Sequence, residues 1–218
     1  MKNEKILEML NNGQIEDLKR KISEEIYTDS LKGKSGAGQR YKAMQRFVKY
    51  NNPIESRRVL CKAKEIDGKF YFTDGHCLVA TSEPVGNIET WTEADEDWLK
   101  VDSIFKAQPN TDSFKVDFKR ILAEGKSQGY KFAKENLHPS SGRVREYVCK
   151  IGNAYFNLAL LDYAYSLIDD GNPAEAHHSG KSTDGIYVET SVGKAMILPI
   201  RVDRDVDVHH LIEHELAA

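Results

Sequence analysis

His210-Leu211-Ile212-Glu213-His214 spells H-x-x-E-H, the inverted zinc-peptidase spacing. On a helix, histidines at i and i+4 share one face and could hold zinc, with Glu213 as general base. A third ligand would have to come from elsewhere, and His177-His178 on an expected strand is one source. The plainer reading of 210–214 is a polar C-terminal helix. Gly33-Lys34-Ser35 matches the end of a phosphate-binding P-loop, but Thr28 stands where the pattern needs its first glycine. What survives there is a basic loop. Cys61, Cys77 and Cys149 fall in apolar strand patterns with no C-x-x-C, which fits reduced packing thiols. Asp74 and Asp184 each precede a glycine, so they read as turn formers before they read as acids or bases. Tyr155, Phe156, Tyr163 and Tyr165 sit at strand and helix periods and read as core or groove wall. No catalytic residue, metal site or cofactor is assigned, and a non-enzymatic protein is expected.

Charge is the stronger signal. The 218 residues carry a formal net charge of −3, which hides a blockwise pattern. Residues 31–70 sum to +8, 83–112 to −6, 113–150 to +5 and 151–218 to −7. Such blocks can build a basic surface on an acidic protein, and a basic surface attracts phosphate. The 30% charged and 40% hydrophobic composition is that of a globular chain. No apolar run approaches the ~20 residues of a membrane span, and no secretory signal pattern stands at the start, so a cytoplasmic location is expected.

The elements that must position those charges follow from periodicity. Ile6, Leu7, Met9 and Leu10, then Ile15, Leu18, Ile22 and Ile26, predict two helices broken at Asn11-Asn12-Gly13. A further helix over 40–50 places Tyr41, Met44, Phe47 and Val48 on one face and Lys42, Arg46 and Lys49 on the other, with Arg57 and Arg58 just beyond. Strands over 59–66, 69–73 and 76–81 form a meander turned at Asp67-Gly68 and Asp74-Gly75. Residues 83–112 read as an acidic linker. A strand at 114–116 precedes a helix near 118–123, with Lys119 and Arg120 in it and Lys126 nearby. A hairpin over 145–157 turns at Gly152-Asn153, and a helix over 158–168 is stopped by Asp169-Asp170-Gly171-Asn172-Pro173. Strands over 174–179, 185–190 and 194–202 close the chain. The fold class is α+β, divided as 1–110 and 111–218. A helix followed by three strands occurs at 40–82 and again at 158–202, a repeat of element order without residue-level similarity.

Two stretches resemble the DNA sliding-clamp superfamily of polymerase processivity factors. Arg58–Val79, with its Asp67-Gly68 turn and Thr73-Asp74 step, resembles the hairpin that follows a clamp helix. Gly185–Val202, with Gly193–Val202 at its end, is similar to the closing strand of the bacterial clamp, which ends in Met-Pro-hydrophobic-Arg-hydrophobic; Leu198 stands at the Met position. The resemblance implies a clamp-like fold with antiparallel sheets and helices on one face. It implies sequence-independent association with duplex DNA during replication, peptide motifs of replication proteins as partners, and assembly of several copies. It makes Lys42, Arg46, Lys49, Arg57, Arg58, Lys119, Arg120 and Lys126 the phosphate-facing candidates. Leu198, Pro199, Ile200 and Arg201 would border a peptide groove. Two alternatives stand beside it. One is a protein-interaction scaffold that binds no DNA, favoured by the acidic helix around Asp162 and Asp169-Asp170. The other is a zinc-dependent hydrolase using His210 and His214.

Overall fold

A computed structural model describes residues 3–34, 36–50, 61–92, 104–105, 113–132, 147–178, 181–202 and 210–214. The chain opens with a helical hairpin, α1 (Asn3–Asn11) and α2 (Ile15–Ser30), turned at Gly13. α3 (Ala37–Tyr50) follows the basic loop. Then come β1 (Lys64–Ile66), β2 (Lys69–Thr73), β3 (Cys77–Thr81), β4 (Ser113–Val116) and α4 (Phe118–Ser127). The second half holds β5 (Tyr147–Ile151), β6 (Ala154–Asn157), α5 (Leu158–Tyr165), β7 (Ala174–His177), β8 (Ile186–Glu189), β9 (Gly193–Ile197) and β10 (His210–His214). The protein is α+β, as its periodicities predict.

The Asp67-Gly68 turn forms as expected, with φ of 50° and 74° at its two central residues. Such a turn twists with the strands it joins. The next turn is made by side chains. Asp74 Oδ1 accepts from the His76 and Cys77 amides at 2.8 and 2.7 Å, and the Thr73 hydroxyl donates to the Cys77 carbonyl at 2.7 Å. Asp74 is therefore a turn former.

One sheet of seven strands, ordered β1-β2-β3-β9-β8-β7-β4, draws on both halves of the sequence. The expected 110/111 division thus runs between strands of a single sheet. The meanders β1-β2-β3 and β7-β8-β9 meet through their last strands, antiparallel, with Val79 opposite Ala195. Antiparallel pairing of equivalent strands creates a local two-fold relation, so the repeat in element order is also a repeat in space. The helix that precedes each meander obeys it. Phe47 of α3 and Tyr163 of α5 stack with centroids 4.3 Å apart and planes 9° apart, and the Tyr163 hydroxyl donates to the Phe47 carbonyl at 2.7 Å. Such a stack contributes about 0.5–1.5 kcal/mol beyond its buried area. Gly193 permits the junction, because a Cβ there would lie 2.4 Å from the Ala80 carbonyl oxygen.

A second sheet, β10-β5-β6, pairs β5 with β6 antiparallel and with β10 parallel. α5 lies between the two sheets and α4, and every residue of it except Asp162 is buried. An apolar helix of this kind must be enclosed on all sides. Two expectations change as a result. The helix over 158–168 is not a solvent-facing acidic face: its carboxylate Asp162 is half-buried, as are Asp169 and Asp170 just beyond it. The last strand also ends earlier than 202. The Leu198 amide donates to the His76 carbonyl at 2.9 Å, Pro199 has no amide to continue the ladder, and the Ile200 amide donates to the Tyr155 carbonyl at 2.8 Å. The chain crosses there from the large sheet to the edge of β6.

Candidate nucleic-acid interface

α3 is amphipathic in the sense that matters for phosphate. Tyr41, Ala43, Met44 and Phe47 are buried, whereas Lys42, Arg46 and Lys49 are exposed. The helix holds no carboxylate. From Lys42 to Lys49 the axis advances about 10 Å, a length that spans neighbouring phosphates on one strand.

α4 supplies the rest. Asp117 caps it, accepting from the Arg120 amide at 3.0 Å, and Phe118, Ile121 and Gly125 pack inward. Lys119, Arg120 and Lys126 are exposed. Both helices run antiparallel to α5. Phe47 meets Tyr163 while Arg40 reaches Asp169, and Phe118 stacks on Tyr165 while the Gly125 Cα approaches Leu158. α3 and α4 therefore flank α5 side by side, pointing the same way.

Asp162 marks where they converge. The Tyr130 hydroxyl donates to its Oδ2 at 3.0 Å, and Arg46 and Lys126 both lie close enough to act on its charge. Burial raises the Asp162 carboxyl above its ordinary value, while the Tyr130 hydrogen bond, Lys126 and Arg46 oppose that rise. Tyr130 is raised as well, by burial and by Asp162. The Arg46 guanidinium also lies 5.5 Å from the centroid of the Phe132 ring, which stacks on Tyr163. Arg46 is thus held against an aromatic platform while remaining exposed. The arrangement brings Arg46 and Lys126 together at one half-buried carboxylate that also accepts from Tyr130, with Lys42 and Lys49 exposed on the same helix as Arg46.

The other candidates fall outside that group. Lys119 Nζ is 2.9 Å from the Gly171 carbonyl and 3.7 Å from Asp169, so it fastens α4 to the end of α5. Arg120 is exposed on the flank of α4, and Arg57 and Arg58 lie outside the described residues. Leu198 and Arg201 are exposed at the crossing between sheets, with Pro199 and Ile200 half-buried. A groove of about 490 Å³ on the large sheet lies upstream of them, against Tyr71, Phe105 and Glu189–Lys194.

His210 and His214 stand at the two ends of a strand, not on a helix. Four residues of strand separate their backbones by about 13 Å, where one helical turn would bring both to a single ion. The His210 ring is instead stacked on Tyr147 at 4.6 Å. Among the described residues no group of three or more His, Cys, Asp or Glu could hold a metal ion. Burial pushes the Cys149 thiol up to about 12 and raises Cys77 and Cys61 too, which suits packing and not nucleophilic attack. No helix among the described residues is long and apolar enough to cross a membrane.

Two features of the site have no trace in sequence spacing. Arg40, although part of the basic block, is buried, and its Nε and Nη2 grip both oxygens of Glu83, Nε at 2.7 Å. Its Nη1 donates to the Asp169 carbonyl at 2.8 Å. Arg40 therefore positions α3 and is unavailable to a ligand. Tyr130, the partner of Asp162, lies between the helix near 118–123 and the hairpin over 145–157, where periodicity predicts no element. No family model, no curated protein and no solved structure matches this chain.

Proposed function

We propose that the protein associates with duplex DNA without reading its sequence, through the exposed faces of α3 and α4, and performs no chemistry there. The observation that carries this reading is the set of exposed cations Lys42, Arg46 and Lys49 on α3, with Lys126 of α4 brought beside Arg46 at the half-buried Asp162. Of the other carboxylates that border them, Glu24 accepts from Gln45 at 2.6 Å and Glu124 is exposed on α4. Cations on a helix face reach phosphates and leave base edges unread, so affinity depends on charge and salt. A clamp-like accessory role in replication, with replication-protein peptides docking near Leu198, Pro199, Ile200 and Arg201, is the biological form the resemblance gives it. Enclosure of α5, which leaves Asp162 as its only half-buried residue, supports this reading over a scaffold that avoids DNA.

The test is fluorescence anisotropy with two labelled 30-base-pair duplexes of unrelated sequence at low salt. Binding of both with equal affinity supports the reading. Absence of binding at low salt, or strong preference for one duplex, overturns it.

A further inference from the structure

The N-terminal hairpin has an apolar face that the rest of the protein leaves uncovered. Its two helices bury only Met9 and Leu18 between them. Leu7, Leu10, Ile15, Ile22 and Ile26 are 60, 47, 50, 39 and 66% exposed, five of the seven large hydrophobic side chains exposed among the described residues. On α2, Ile15, Ile22 and Ile26 recur at i, i+7 and i+11, which sets them in one stripe along the helix. Attachment to the body runs through the second half of α2. Tyr27 packs edge-on against Tyr41 at 4.8 Å and donates to the Pro84 carbonyl at 2.7 Å, and Gln45 donates to Glu24 at 2.6 Å.

We infer that this face is the self-association surface of the protein: two copies pack hairpin on hairpin into a four-helix bundle about a two-fold axis. Three observations select a second copy as the occupant. The first is area. Five side chains exposed to this degree leave on the order of 400 Å² of apolar surface per copy, or roughly 800 Å² for two. An interface whose core is about 65% apolar then totals roughly 1,200 Å², where specific interfaces begin. The second is charge. The ion pairs beside the stripe close within α2, Lys19 to Glu16 at 2.8 Å and Arg20 to Asp17 at 3.1 Å, so the rim offers no single-sign field for a charged ligand. The third is geometry. A two-helix hairpin with one apolar face is half of a four-helix bundle, and an identical hairpin completes it with closed symmetry.

The pairing places nothing on the α3–α4 surface and does not depend on DNA binding. Sedimentation velocity between 1 and 200 µM, without nucleic acid, tests it. The expected result is a reversible monomer–dimer equilibrium in the wild type. The variant I22E/I26E should weaken dimerisation by more than about 100-fold, since it places a charge at two of the three positions of each stripe. Both residues are exposed in the monomer, so at a concentration low enough for the wild type to be monomeric the variant's thermal melt should match it, and a loss of dimer is then not a loss of fold. A wild type that stays monomeric at 200 µM overturns the inference. So does an I22E/I26E dimer as tight as the wild type.

Discussion

Replacing Glu83 by alanine perturbs the contact that sets the direction of α3. Arg40 is 4% exposed, and the Glu83 carboxylate takes its Nε and Nη2 in a two-pronged grip. Removing that carboxylate leaves a guanidinium inside the protein with its charge uncompensated, although the Asp169 carbonyl still accepts from Nη1. Breaking one side of a buried pair costs about 3–5 kcal/mol. The Glu83 side chain is 21% exposed, so water can reach the vacated place and the lower end applies, about 3 kcal/mol. For a chain of this length that lowers the midpoint of thermal unfolding by about 6–12 °C. Calorimetry or urea unfolding of E83A measures it directly. The double variant R40M/E83L removes both charges together, and it should recover most of the loss because apolar side chains of similar size replace the pair. An E83A variant within 1 kcal/mol of the wild type would refute the claim that this pair anchors α3. A double variant as unstable as E83A would refute the desolvation argument behind it.

Two further outcomes follow from named contacts. The Asp162 carboxyl is raised above its model-peptide value of 3.8, so its protonated form is favoured in the fold. Its contribution is fully present below that value and is lost as pH rises through the folded value, so D162N should match the wild type at pH 3.5 and exceed its stability at pH 7. Urea midpoints at the two pH values check this, and equal midpoints at pH 7 would contradict it. At the seam of the two meanders, G193A brings a Cβ within 2.4 Å of the Ala80 carbonyl and 2.7 Å of the Ile168 Cγ2. It should destabilise by about 1–3 kcal/mol, read from the urea midpoint, and a neutral effect would show the junction to be slack.

Much of the fold was legible because local chemistry agreed with tertiary structure. Asp67-Gly68, Gly152-Asn153 and the Asp169–Pro173 stop all sit where their conformational preferences put them. The alternation of apolar and charged positions along α3 also named Lys42, Arg46 and Lys49 correctly as exposed. The edge-to-edge joining of β3 and β9 was not legible, since nothing in either strand announces a partner more than a hundred residues away. Asp162 misled for a related reason. Its formal charge suggested an acidic surface, whereas its neighbours Leu161, Tyr163 and Ala164 are all buried and the helix is central. Arg40 shows the converse, a cation in a basic block that folding turns inward. At 210–214 the i, i+4 histidine spacing suits a helix, but pairing beside β5 makes the segment a strand and separates the two residues.

The salt dependence of duplex affinity tests the central claim most directly, measured for the wild type and for K42E/R46E between 50 and 200 mM salt. With Lys42, Arg46, Lys49 and Lys126 each displacing a counterion, the logarithm of the wild-type affinity should fall against log salt with a slope of about −3.6. That is a loss of roughly 150-fold over the range. K42E/R46E should bind more weakly throughout, with a slope near −2 or shallower. A wild-type slope near zero, or one that the charge reversal leaves unchanged, would contradict a phosphate-facing surface on α3 and α4.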